Sequence, residues 1–160
     1  MTSTIEIRDA VTRDIRDIHE TLSEAFQPYR KCYTEEAYDI TVCSYQEIAN
    51  RINNEQVDVL VAESNGSIVG TGAARVKDEG KLYLSSMAVR PAVQGKGVGY
   101  YLLTEIERRA KIRQCDVISL ECCEFLKMAI CLYRRFGYNR TGLVRPYHGI
   151  QVFEMKKRLQ

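Results

Sequence analysis

The densest chemical signal in this chain is Val89-Arg90-Pro91-Ala92-Val93-Gln94-Gly95-Lys96-Gly97-Val98-Gly99-Tyr100. A strand-like run ends near Pro91 and a helix-like run begins near Gly97, with glycines at 95, 97 and 99 around the junction. The N–H groups of such a turn and of the first helical turn point outward together, and the helix dipole adds partial positive charge there. Glycine lets a ligand approach the main chain with no Cβ in the way. The arrangement suits a diphosphate, with Lys96 as an extra cation. A phosphate-binding G-x-x-x-x-G-K-[ST] loop is absent, and a dinucleotide G-x-G-x-x-G motif would need glycine where Tyr100 stands. A glycine-rich turn that holds no ligand is the alternative reading.

The second signal is Ala129-Ile130-Cys131-Leu132-Tyr133-Arg134-Arg135-Phe136-Gly137-Tyr138, a helix-like run with Tyr133 four residues before Gly137. By itself, Tyr133 reads first as a core tyrosine on an apolar helix face; the glycine motif beside it turns the reading toward chemistry.

The elements that must position these residues follow from periodicity. Ile5 to Asp9 alternates as a half-buried strand. Thr12 can cap a helix to about Phe26, with Ile15, Ile18, Leu22 and Phe26 at helical spacing. Tyr29 to Val42 is expected to be irregular. Ser44-Tyr45-Gln46-Glu47 reads as a capping box opening a helix to about Asn53. Three strands follow: Val57 to Glu63, Ile68 to Val76 after the Asn65-Gly66 turn, and Leu82 to Val89 after Asp78-Glu79-Gly80. The two tight turns make them antiparallel neighbours. A helix from Gly97 to Gln114, a strand Val117 to Cys122, a helix Phe125 to Phe136 and strands Tyr138 to Val144 and Gln151 to Lys156 complete the chain. The expected fold is α/β, a mixed and mostly antiparallel central sheet flanked by about four helices.

Composition narrows the function. At 160 residues a single domain spanning 1–160 is expected, and 45% hydrophobic with 28% charged residues excludes a disordered chain. A net charge of +2 argues against a nucleic-acid binder, and no apolar run is long enough for a membrane helix. Met1 to Ala10 lacks a basic segment followed by an apolar one, so no secretory signal is expected. The six cysteines form no C-x-x-C pair, and Cys122–Cys123 are adjacent. Neither zinc nor an easy disulfide fits, and reduced cysteines in the cytoplasm are expected.

Taken together, the two motifs carry a resemblance. Gln94-Gly95-Lys96-Gly97-Val98-Gly99 is similar to the Q/R-x-x-G-x-G/A motif of the GNAT superfamily of acyl-CoA N-acetyltransferases, and Ala129, Tyr133, Gly137 and Tyr138 match its A-x-x-x-Y-x-x-x-G-F/Y segment. The resemblance covers roughly Val57 to Lys156. It implies acetyl-CoA as cosubstrate, no metal, a homodimer as the common assembly, and transfer of an acetyl group to a primary amine of a small molecule or protein. A non-catalytic acyl-CoA-binding module is the alternative.

The resemblance also implies residue roles. Main-chain groups of Met87, Ala88 and Val89 would hold the acetyl-pantetheine arm and supply an oxyanion donor. The N–H groups of Gln94, Gly95, Lys96, Gly97, Val98 and Gly99, with Tyr100 beside them, would bind the diphosphate. Tyr133 would stand near the thioester sulfur. A tyrosine of pKa about 10 can protonate a thiolate of pKa about 8.5, so Tyr133 is the candidate general acid. Glu121 is the candidate base, against the plainer reading of a paired strand carboxylate. The family often has Asn where Leu126 stands, which removes one pantetheine contact. Glu35, Glu36, Tyr29, Arg30, Tyr33, Tyr147 and His148 are placed on the acceptor side by location alone.

Overall fold

The computed structural model describes residues 4–160; Met1, Thr2 and Ser3, the start of the N-terminal stretch considered above, lie outside the described residues. The elements are β1 (Ile5–Asp9), α1 (Ile15–Phe26), α2 (Glu35–Val42), α3 (Tyr45–Ile52), β2 (Val57–Ser64), β3 (Ser67–Asp78), β4 (Lys81–Val89), α4 (Val98–Ile112), β5 (Val117–Cys122), α5 (Lys127–Arg135), β6 (Asn139–Tyr147) and β7 (Ile150–Arg158). Short 3-10 turns cover Thr12–Asp14, Gln27–Cys32 and Pro91–Val93.

The strands form one sheet in the order β1-β2-β3-β4-β5-β7-β6. Every neighbouring pair is antiparallel except β4 and β5, which run parallel and are joined by the α4 crossover. Side-chain alternation sends successive residues to opposite faces. Leu60, Ala62, Leu82 and Leu84 join the core under α4 and α5, while Val59, Val61 and Ala88 join the core under α1 and α3.

Local sequence explains the turns. Asn65 and Gly66 both have positive φ, 52° and 78°, which closes the two-residue hairpin between β2 and β3. At the end of α5, Gly137 at φ 98° lets its own N–H reach the Arg134 carbonyl at 3.0 Å and the Tyr138 N–H reach the Tyr133 carbonyl at 2.9 Å. These two bonds fasten the last turn of α5, and with it Tyr133, to the start of β6.

Three expectations need correction. The stretch Tyr29 to Val42 is not irregular: it holds the end of a 3-10 turn and the eight-residue α2, giving five α-helices among the described residues. Thr34 caps α2, its hydroxyl accepting from the Ala37 N–H at 3.1 Å. Thr34-Glu35-Glu36-Ala37 lacks the acid at the fourth position that marks a capping box, so the start was easy to miss. The first helix is not capped by Thr12; the Val11 N–H donates instead to the Asp14 carboxylate at 2.8 Å. Ser44 does cap α3 through the Glu47 N–H, but the Glu47 carboxylate pairs with Arg51 one turn on.

Candidate active site

The site begins where β4 and β5 part. Their ladder covers only Lys81–Tyr83 against Val117–Ser119. Beyond Tyr83 the β5-facing edge of Leu84–Val89 has no strand partner and faces the gap, where the Val89 carbonyl accepts from Gln94 Nε2 at 3.1 Å. A bulge sharpens the divergence: Thr71 pairs with Ala88 and Ala73 with Ser85, so Ser86 and Met87 together oppose Gly72. Ser86 sits at φ 52°, a conformation that costs a non-glycine residue energy and re-aims the strand. Nothing in the residue types of Ser85-Ser86-Met87 announces this bulge.

A cavity of about 940 Å³ fills the gap and passes from one face of the sheet to the other. On the α4 side it is lined by Gln94, Gly95, Gly97, Val98, Gly99 and Tyr100; in its middle by Met87, Ala88, Val89, Leu126 and Tyr133; on the α1–α3 side by Phe26, Tyr29, Tyr33, Arg51, Arg75, Glu121 and Tyr147. The expected site residues Met87, Ala88, Val89, Gln94, Gly95, Gly97, Val98, Gly99, Tyr100, Glu121 and Tyr133 therefore meet in one cavity. Lys96 is exposed and does not line it.

The anion-binding end has the geometry its residue types require. Gly97 is the N-cap of α4 at φ 89°, with no side chain capping the first turn. The N–H groups of the first turn are thus left to a ligand or to water. Gly95 is also left-handed, at φ 81°, and no atom lies within 4 Å of where its Cβ would be. A Cβ on Gly99 would come within 2.7 Å of Leu132 Cδ2, so this glycine lets α4 pack closely on α5. A diphosphate fits this exposed cradle, and an extended arm fits the open edge of β4.

Tyr133 is buried, with its ring edge-on to Tyr138 at 5.9 Å. Its hydroxyl makes no hydrogen bond to another described residue. Burial, and after it the neighbouring Cys122 thiol, push Tyr133 well above the ordinary tyrosine value, so the phenol holds its proton. The same surroundings push Cys122 up to about 12, burial first and then Cys123.

At the other end the Glu121 carboxylate is paired. The Tyr83 hydroxyl donates to its Oε1 at 3.1 Å, and Arg145 of β6 grips both of its oxygens. Burial works against the Glu121 charge, but the hydrogen bond and charge of Arg145, then the Tyr83 bond, outweigh it and hold the carboxyl below its ordinary range. Aromatic rings roof this end, with Phe125 edge-on to Tyr33 at 5.0 Å and Phe26 edge-on to Tyr33 at 6.4 Å. The β6–β7 turn docks on α2: His148 Nδ1 is 3.0 Å from Glu36, and the Thr34 hydroxyl donates to the His148 carbonyl. Tyr29, Tyr33 and Tyr147 line the cavity, whereas Arg30, Glu35, Glu36 and His148 do not. Sequence reading missed Tyr83, Arg75, Arg51 and Arg145. The first three lie beside no motif, and Arg145 is joined to Glu121 only by strand pairing through β7.

Residues 15–138 match the acetyltransferase (GNAT) family. The chain belongs to this family. It is similar to an IAA acetyltransferase of Azospirillum brasilense, 34% identical over 89 residues, which is 55% of this chain and 58% of that relative. Among GNAT structures it is similar to paia N-acetyltransferase from Thermoplasma acidophilum in complex with coenzyme A, with a TM-score of 0.81 at 22% identity over 97% of this chain and 99% of the other. It is similar also to yncA from Salmonella typhimurium with its cofactor acetyl-CoA, with a TM-score of 0.77 at 22% identity over 99% of this chain and 95% of the other. At these identities the likeness is one of fold. The parted β4 and β5 and the bare first turn of α4 are thus features of a GNAT fold built from this chain's own residues.

Proposed function

We propose that this chain transfers an acetyl group from acetyl-CoA to a primary amine by direct attack on the thioester. The observation that carries the reading is the cavity through the sheet, with an uncapped helix start at one end and a half-buried polar cluster at the other. Acetyl-CoA supplies the activated acyl carbon. The Gln94 N–H, expected in the cradle, is instead given to the Pro91 carbonyl at 3.3 Å, so the N–H groups of Gly95 to Gly99 hold the diphosphate, and Lys96 adds charge at the rim. The open edge of Met87 to Val89 orients the arm by main-chain bonds and offers an N–H to the developing oxyanion. Leu126 contributes apolar contact in place of a polar one.

Two proton movements remain. The acceptor ammonium must lose a proton, and the sulfur must gain one. Tyr133 donates from its hydroxyl to the sulfur. Burial disfavours the phenolate and the thiolate alike, so the direction of its effect is the same on both groups. Glu121 is the carboxylate that lines the cavity among the described residues, and it is the candidate base acting through water. Its pairing with Arg145 makes it a weak base, and it also orients Tyr83. The coenzyme of the Thermoplasma and Salmonella proteins and the matched α4 motif support the choice of cosubstrate. Free thiol released from acetyl-CoA in the presence of an amine panel tests the reading. Thiol release that depends on the amine supports transfer. Coenzyme binding with no release would instead support a non-catalytic acyl-CoA-binding module.

A further inference from the structure

We infer that the acceptor carries a carboxylate close to its amine, as a free amino acid does, and that Arg75 and Arg51 receive it; this rests on the acetyl-transfer reading above. Arg75 on β3 lies directly opposite Tyr83 on β4. The neighbour Ala74 belongs to the core under α4, so Arg75 and Tyr83 face the α3 side, where the acceptor must enter. Arg75 lines the main cavity, and with Arg51 it also lines a smaller one of about 340 Å³ that adjoins α3.

The charges at this end are unbalanced. Glu121 is already neutralised by Arg145. Arg51 gives its Nε to Glu47 at 3.1 Å and its Nη1 to the Ser86 hydroxyl at 2.7 Å, at the bulge of β4, which leaves Nη2 uncommitted. Arg75 has no carboxylate partner and no hydrogen bond among the described residues; its guanidinium lies over the Tyr83 ring at 5.3 Å, and Lys77 lies over the same ring at 5.1 Å. The cations thus outnumber the free anions where the acceptor docks. A polyamine or a lysine-rich segment would meet repulsion there. A carboxylate meets planar donors that match its two oxygens.

The test records thiol release from acetyl-CoA with each L-amino acid, with the matching amino-acid amide, and with spermidine. At least one amino acid should be acetylated with kcat/KM about tenfold or more above its amide, the worth of one charge-assisted hydrogen bond. In Arg75→Gln, a surface change that should leave the melting temperature in place, that preference should fall toward unity, with KM for the amino acid rising more than kcat falls. Amides or spermidine serving as well as free amino acids would overturn the inference while leaving acetyl transfer standing. A uniform kcat loss in Arg75→Gln with the preference intact would also overturn it. No thiol release with any amine would overturn the transfer reading itself, and this inference with it.

Discussion

The Tyr83 hydroxyl donates to Glu121 Oε1 at 3.1 Å, at the level where β4 and β5 make their last pairing, Tyr83 against Ser119. The strands separate immediately beyond it. This bond therefore ties the two lips of the cleft at its acceptor end, and the Arg145 pair anchors Glu121 from β6.

Arg145→Ala removes the partner that keeps the Glu121 carboxyl low, and burial then raises it. The folded-state value of Glu121 lies below its unfolded one, so its stabilisation is full above the ordinary Glu range and fades as pH falls through the lower folded value. In Arg145→Ala the folded-state value moves up toward or past the unfolded one, so this acid-side loss of stability should shrink or reverse sign. The acid limb of the rate profile should move to higher pH if Glu121 must be ionised. Melting curves and rates across about pH 3 to 7 check both, and superimposable wild-type and variant profiles would contradict the pairing.

Tyr133→Phe keeps the ring and its contact with Tyr138 but deletes the proton donor. Turnover should fall about a hundredfold, with coenzyme A affinity and melting temperature unchanged. Single-turnover assays beside calorimetry separate the two effects. Wild-type turnover in the variant would remove Tyr133 from the mechanism.

Gly97→Ala forces a Cβ onto a residue at φ 89° and should cost about 1–2 kcal/mol locally, distorting the first turn of α4. Coenzyme affinity should drop about tenfold while the acceptor KM at saturating acetyl-CoA holds. Gly99→Ala should act differently, because its Cβ would press on Leu132 and push α4 from α5. Gly95→Ala, at φ 81°, should instead lose melting temperature through backbone strain alone, since no atom lies within 4 Å of its Cβ position.

Asp14 tests the scaffold away from the site. Its side chain is 5% exposed, pairs with Arg8 at 2.8 Å and accepts the Val11 N–H. Asp14→Ala leaves Arg8 partly uncompensated and should lower stability by about 2–4 kcal/mol at neutral pH. Burial opposes the Asp14 charge, but Arg8 and Val11 outweigh it and hold the carboxyl below its ordinary value. Its contribution is therefore present above about pH 4 and lost as pH falls further, so denaturation curves of wild type and variant should converge in acid.

The parts legible in the sequence share one property, local determination. Asn65-Gly66 dictates a turn, Gly137 stops α5, and Gln94 to Gly99 marks the helix start, each within a few residues. The sheet order and the gathering of the two motifs in one cavity agree with the GNAT-like α/β expectation. What escaped depends on tertiary context. Tyr29 to Val42 folds into α2 because Ala37, Tyr38 and Val42 pack beneath the sheet, a weak period in a short run. The bulge at Ser86 arises from the pairing of β4 with β3. The Arg145–Glu121 pair joins residues 24 positions apart across β7, which sequence spacing does not reveal. Glu36 and His148 do meet, but outside the cavity.

The most direct measurement is amide hydrogen exchange with and without coenzyme A. Slowed exchange is expected at Gly95 to Tyr100 and along Leu84 to Val89, with β6 unaffected. Coenzyme binding that leaves both segments unprotected, or no binding at millimolar coenzyme A, would contradict it.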